Sequence, residues 1–385
     1  MRGANKVIVG DNGINLSLGP GSTPLDLNEI RQRMPEGAQL LQYAVLPERI
    51  IIWAVSSRRV KAAVKNISKV QLTRLVVDYL SQISRTPAPD DMDHMRRARE
   101  LYEILIEPVA DFLEPGGSLC IAPDKILNLL PFGALVARKS GKLLIEDYRL
   151  TYTPSATLFA LSIEAAKKLT RGGPESILSV GNPQFGRGQD DLRYAAEEAK
   201  AVADFYLPHA KLLIGSDARK EVVLRNLAKA NVIHFATHHL SDPTSPLRSR
   251  LLLTAQTGST SQATAAGDLA AHEIYQLRLP NTRLVTLSAC RTQAEDYLDG
   301  EGAIGIARSF RTAGAPLVVA SLWEADSRAT SRLMTEFHRL RKRQGLYTAE
   351  ALREAQLSLA RGEYAPYRHP YYWAAFVLVG GDVNY

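Results

Sequence analysis

Cysteine is scarce in this chain: 385 residues include only Cys120 and Cys290. Two thiols cannot supply a disulfide framework, and a reducing, cytoplasmic compartment is expected. Long apolar runs are also missing. None reaches about 18 residues, so no membrane-spanning helix is expected. Residues 1–22 are expected to be a flexible lead-in or the cut end of a longer chain. The start is polar and glycine-rich, with no apolar stretch behind Arg2 to make a secretory signal. No internal repeat of about 20–50 residues marks a solenoid.

Several chemical motifs are absent too. Gly300-Glu301-Gly302 and Gly305 do not complete a dinucleotide-binding glycine pattern, and there is no Gly-x4-Gly-Lys-Ser/Thr loop for phosphates. A Gly-x-Ser-x-Gly elbow is lacking, which argues against serine hydrolysis. Without Cys-x-x-Cys or His-Glu-x-x-His spacing, metal binding by His234, His238, His239 and Cys290 has no support. No cofactor is expected.

The composition, 45% hydrophobic and 23% charged, is that of a globular chain. The net charge of +7 admits a nucleic-acid partner. Its lysines and arginines, however, are scattered along helical stretches and not interleaved with aromatics. They read as solvated helix faces, so direct nucleic-acid binding is not expected.

A length of 385 residues exceeds what one compact core usually holds. Two α/β lobes are expected, over residues 23–168 and 175–385, with Gly172-Gly173-Pro174 marking the boundary. In the first lobe, strands are expected at 39–45, 49–55, 119–121 and 142–153, and helices at 67–83 and 91–112. The second lobe alternates strand and helix. Its strands are expected at 176–180, 211–214, 231–237, 251–254, 283–289, 317–322 and 373–379. Its helices are expected at 194–206, 218–227, 268–277 (capped by Asp268), 303–312, 328–341 and 348–359. Several of these strands are continuous apolar runs, as in a largely parallel sheet covered by helices on both faces. The active site of such a sheet lies at the carboxyl ends of its strands.

Two strand ends carry reactive side chains. One reads Val232-Ile233-His234-Phe235-Ala236-Thr237-His238-His239, the other Leu284-Val285-Thr286-Leu287-Ser288-Ala289-Cys290-Arg291-Thr292. His238 precedes Cys290 by 52 residues (290 − 238). Caspases place a histidine about 50 residues ahead of an Ala-Cys-Arg/Gln segment. The residue types suit the chemistry. A thiol of pKa near 8.5 is only partly thiolate at neutral pH, with roughly a few per cent ionised. An imidazole can take its proton and later return it to a leaving amine. Backbone N–H groups of Cys290 and His239 are candidates for stabilising the oxyanion. A cysteine behind an apolar strand is more often a small buried hydrophobe. That reading suits Cys120. For Cys290, the partner strand end at His238 tips the balance toward nucleophile. His234, four residues before His238, shares its strand face and is a candidate core or supporting histidine.

These segments, in order, resemble the CHAT domain, a peptidase domain related to caspases and separase. Matching stretches run from Ala122-Pro123-Asp124 through Leu129-Leu130-Pro131-Phe132-Gly133-Ala134-Leu135 and Tyr152-Thr153-Pro154-Ser155-Ala156. They continue through the His234–His238 and Ser245-Pro246-Leu247 stretches, the cysteine segment, Gly300-Glu301-Gly302 and Ala320-Ser321-Leu322-Trp323, and end at His369-Pro370-Tyr371-Tyr372-Trp373. The likeness covers about residues 36–380. It implies a caspase-like catalytic lobe over 175–385, preceded by a degenerate, non-catalytic caspase-like lobe over 23–168. It also implies a His238/Cys290 dyad in a cysteine endopeptidase acting on a specific cytosolic protein, with a defence or cell-death role. Relatives often carry sensor repeats, so a repeat-containing partner or further domain is expected. Glu324 and Asp326, in Trp323-Glu324-Ala325-Asp326, resemble a region that lines a specificity pocket for a basic side chain. Asp326 is better read as the cap of the helix through Ala329 and Arg332. One departure stands out: the family has glycine after its histidine, where this chain has His239. That departure supports an alternative, an inactive scaffold that binds a protein partner through the same crevice.

Overall fold

The computed structural model describes residues 9–10, 13–14, 24–88, 92–168, 174–184, 192–242, 245–254, 267–288, 306–362 and 364–381. Cys290, Gly300-Glu301-Gly302, most of the lead-in and residues 255–266, a Thr/Ser/Gln-rich stretch, lie outside them.

Eleven strands form one sheet among the described residues. In chain order they are β1 (Ala38–Val45), β2 (Ile50–Ser56), β3 (Val60–Lys65), β4 (Ser118–Ala122), β5 (Arg149–Tyr152), β6 (Ile177–Pro183), β7 (Ala210–Gly215), β8 (Val232–Ala236), β9 (Leu284–Ser288), β10 (Leu317–Ser321) and β11 (Phe376–Gly380). Across the sheet the order is β3-β2-β1-β4-β5-β11-β10-β9-β8-β6-β7. The run from β10 to β7 is parallel, as is the run from β1 to β11. Antiparallel pairing is confined to β1-β2-β3 and to β10-β11. The strands of the two sequence halves meet where Tyr152 of β5 pairs with Val379 of β11. One mostly parallel sheet therefore crosses the sequence boundary at 169–174.

The covering helices are α1 (Leu27–Arg33), α2 (Lys69–Ile83), α3 (His94–Leu105), α4 (Ala156–Lys168), α5 (Arg193–Asp204), α6 (Lys220–Leu227), α7 (Ala271–Gln276), α8 (Ile306–Thr312), α9 (Ser327–Arg343) and α10 (Thr348–Ala360). Every residue of β8, β9 and β10 is buried. Their side chains alternate between two cores. Val232, Leu284, Leu317 and Val319 join Leu333 and Phe337 of α9, whereas Ile233, Phe235, Val285 and Leu287 join Val223 of α6, Ile274 of α7 and Phe310 of α8. Helices on both faces explain why these strands read as unbroken apolar runs. Cys120, 1% exposed, packs in a third cluster with Leu40 and Phe159, as a small hydrophobe.

Several expected elements differ, among them the strand expected over 251–254, which is only Arg250–Leu251 and lies in a separate small sheet. The helix expected over 91–112 ends at Leu105 and continues as a 3₁₀ turn, Glu107–Val109, because Pro108 has no N–H to extend an α-helix. The strand expected over 142–153 splits into a helical turn at Leu144–Asp147 and β5. The last strand starts at Phe376 instead of residue 373, behind a 3₁₀ turn that opens on Pro370. Asp268 does not cap α7. It pairs with Arg250 at 3.0 Å, and the helix begins at Ala271, where Glu273 accepts the N–H of Ala270 at 3.0 Å. Strand β3 and helices α1 and α4 were not expected, although α1 opens on an Asp26/Glu29 capping box and Ala156, Phe159, Ala160 and Ile163 of α4 recur at helical spacing. Strand β3 is an edge strand with both faces largely exposed, so it has little apolar alternation.

Gly181 of β6 sets the position of α5. A Cβ there would lie 2.4 Å from Ala199 Cβ and 2.6 Å from the Ala195 carbonyl oxygen. Gly181→Ala is expected to push α5 off the sheet, at a cost of about 1–3 kcal/mol in urea unfolding. An unchanged midpoint would show that α5 does not depend on this close approach.

Candidate active site

Strands β8 and β9 run side by side, with Val232 opposite Leu284, His234 opposite Thr286 and Ala236 opposite Ser288. Their register offset is 52 residues (284 − 232), equal to the separation of His238 and Cys290 (290 − 238). Because the strands are parallel, both carboxyl ends open on one edge of the sheet.

A cleft of about 750 Å³ occupies that edge. Thr237 and His238 line it from the end of β8, Ser288 from the end of β9 and Ser321 from the end of β10. The Trp323–Ser327 turn before and into α9 forms another wall, with Glu198 and Ala195 of α5 opposite. Ser84, Arg85 and Thr86, just past α2, close the rim from the first half of the chain. His238 is partly exposed, and its carbonyl accepts the N–H of Leu252 at 2.9 Å. Thr237 beside it donates its hydroxyl to the Leu252 carbonyl at 2.6 Å. These two bonds anchor the chain that carries the imidazole.

The other expected site residues are distributed as follows. Glu324 and Asp326 both line the cleft. Glu324 is exposed, whereas Asp326 caps α9 by accepting the Ala329 N–H at 2.8 Å. Asp326 thus holds the wall as well as lining it. His239 is 8% exposed and is not part of the cleft lining. It opens a two-residue strand, His239–Leu240, that pairs with Arg250–Leu251. Cys290 falls outside the described residues, two positions beyond Ser288. No group of three or more metal-ligating side chains occurs among the described residues.

Sequence reasoning overlooked Glu198 and Ser84–Thr86, and named Trp323 only as part of the Trp323–Asp326 stretch. Glu198 is 2% exposed, and its Oε1 lies 3.0 Å from Nε2 of the fully buried His234. The two atoms are close, but their angle is too poor for a hydrogen bond. A signal existed for Glu198: it lies three and four residues from Ala195 and Val202, on the buried face of an amphipathic helix, where an acid needs a reason to be. Trp323 is 5% exposed and donates its indole N–H to the Tyr371 carbonyl at 3.2 Å, which fixes the cleft wall. For Ser84–Thr86 no local signal exists, because their role depends on how the two halves of the sheet meet.

A mostly parallel, helix-flanked sheet with a cleft at the carboxyl ends of its central strands is the fold of caspase-like cysteine peptidases. The separase–securin complex of Saccharomyces cerevisiae shares it, with a TM-score of 0.59 at 11% identity, over 93% of this chain and 30% of that one. The likeness is one of fold; by sequence the chain belongs to the CHAT domain family, whose profile matches residues 95–381. It is also similar to tetratricopeptide repeat protein 28 of Homo sapiens, 29% identical over 332 residues, and of Mus musculus, 28% identical over 337. In both cases 74% of this chain is aligned, against only 13% of the relative's length. Among the described residues no helix is long and apolar enough to cross a membrane.

Proposed function

We propose that the chain is a cysteine endopeptidase with Cys290 as nucleophile and His238 as base. One observation carries this reading. The register that sets β8 beside β9 has the same 52-residue offset as the two reactive side chains, and His238 and Ser288 line one cleft. In the proposed mechanism His238 takes the Cys290 proton and the thiolate attacks the peptide carbonyl. The N–H groups of Cys290 and His239 bind the oxyanion. The C–N bond then breaks, the imidazolium protonates the leaving amine, and water hydrolyses the thioester with the imidazole again as base. Glu324 and Asp326 meet a basic side chain of the substrate. Glu324 is the freer of the two, since Asp326 already caps α9.

The substrate in this reading is a specific cytosolic protein, cut in a defence or cell-death response. The relatives named for tetratricopeptide repeats support a repeat-containing partner or neighbouring domain as its regulator. A second reading, an inactive scaffold that binds a protein in the same cleft, draws support from His239, which stands where the family has glycine and is nearly buried. A peptidyl acyloxymethyl ketone separates the two. The peptidase reading expects covalent labelling at Cys290 that falls about 10²–10⁴-fold in His238→Ala. An inert Cys290 in folded protein would leave the scaffold.

A further inference from the structure

Beneath the cleft lies a buried polar chain that the mechanism above does not use. Arg341 of α9 holds Glu175 through two hydrogen bonds of 2.7 Å. The same guanidinium donates to the hydroxyl of Tyr206 at 3.2 Å, just past the end of α5. Tyr206 Oη lies 3.0 Å from Nδ1 of His338, a fully buried residue of α9. Nε2 of that ring faces Thr286 Oγ1 of β9 at a long 3.5 Å. The edge of the ring also packs against His234 of β8, with centroids 5.2 Å apart at 86°.

Donor chemistry orients this chain. A guanidinium only donates, so the Tyr206 oxygen accepts from Arg341 and its O–H is left to donate to His338 Nδ1. A neutral imidazole that accepts at Nδ1 carries its proton on Nε2, and that proton points at Thr286. The charge state agrees. Burial, then His234 and Arg341 nearby, hold the His338 imidazole well below its ordinary range. The tyrosine is pushed up to about 12, chiefly by burial, so it keeps its proton.

The placement matters because His234 and Thr286 are direct partners across β8 and β9. His238 lies four residues beyond the first, and Cys290 four residues beyond the second. We infer that His338 is a positioning residue for the dyad: one neutral ring of fixed tautomer braces the base strand and the nucleophile strand together from below. This rests on the peptidase reading given above. The titratable and charged groups facing His338 are His234 from β8, Tyr206 at the end of α5 and Arg341 on its own helix. Glu198 reaches it through His234, and Glu175 through Arg341, with Lys342 3.8 Å from Glu175. Protonating His338 would add a cation beside Arg341 in a site without water-like screening, which is why the neutral form persists.

The test reads the thiol itself and needs no substrate. The rate of iodoacetamide alkylation at Cys290 is followed by peptide mass from pH 5 to 10, in wild type and in His238→Ala, His338→Leu, His338→Gln and Tyr206→Phe. Wild type is expected to show an apparent thiol pKa below the free value of about 8.5, and His238→Ala to return it there. His338→Leu and Tyr206→Phe are expected to move it toward the free value by about half a unit or more. His338→Gln, whose amide can accept from Tyr206 and donate toward Thr286, is expected to restore most of that shift. Should His338→Leu fail to fold, the near-isosteric Tyr206→Phe decides alone. Profiles of Tyr206→Phe and folded His338→Leu that overlay wild type, while that of His238→Ala does not, overturn this inference and leave the dyad standing. A His238→Ala profile identical to wild type removes the dyad, and this inference with it.

Discussion

Cys290→Ala is expected to end proteolysis, leaving less than about one part in 10³ of wild-type cleavage in a protein that still folds. An alanine there has no group to replace a thiolate. The described end of β9, Ser288, bears a hydroxyl, and no Gly-x-Ser-x-Gly elbow exists to activate one. The measurement compares new protein N-termini in lysate treated with wild type or with the alanine variant. Termini that arise at the same rate with Cys290→Ala would refute the nucleophile assignment. Loss with Cys290→Ala but not with His238→Ala would keep the thiol and discard its base. The substrates so identified also report whether a basic residue precedes the cut, as Glu324 leads one to expect.

Arg341→Ala is expected to cost about 3–5 kcal/mol of folding stability, because it leaves Glu175 and Tyr206 buried without their donor. The Arg341 side chain is 4% exposed and the half-buried Glu175 side chain 13%, so solvent replaces the two 2.7 Å bonds only in part. The cost should depend on pH. Burial raises the Glu175 pKa, but the Arg341 hydrogen bonds and charge, aided by Lys342 and Arg283, outweigh it and hold the carboxyl below its usual 4.5. A depressed carboxyl contributes stability above its unfolded pKa and loses it as pH falls through the folded one. The gap between wild type and Arg341→Ala in urea unfolding is therefore widest at neutral pH and narrows below about pH 4.5. A gap that stays constant down to pH 3 would mean that the arginine acts through packing of its stem and not through its charge.

Much of this fold can be read from local pattern. The apolar runs at 231–237, 283–289 and 317–322 declare buried parallel strands, since only a strand covered on both faces needs apolar side chains at every position. Helix α9 is equally legible, as apolar Leu333, Phe337 and Leu340 recur at helical spacing behind an Asp326 cap. Strand β3 was not legible, because an edge strand exposed on both faces has no alternation to read. The helix expected over 91–112 ran too long because the pattern was extended past Pro108. His238, Glu324 and Asp326 line the cleft, and each follows a strand end, which is a local signal. His338 has no local signal, because it belongs to the cleft floor only through contacts with elements far along the chain, whereas Glu198 had one in its place on a buried helix face.

Residue order along the chain is enough to establish the family, the helix-flanked parallel sheet and the 52-residue spacing of His238 and Cys290 (290 − 238). Those features follow from local periodicity and from the spacing of short segments. Three-dimensional packing alone decides that both halves share one sheet through Tyr152 and Val379, and that Ser84–Thr86, just past α2, line the same cleft as α5. It alone sets His338 under the pair His234 and Thr286. The physical reason is that burial and hydrogen bonding join groups far apart in the chain, and composition and periodicity carry no record of which distant groups will meet.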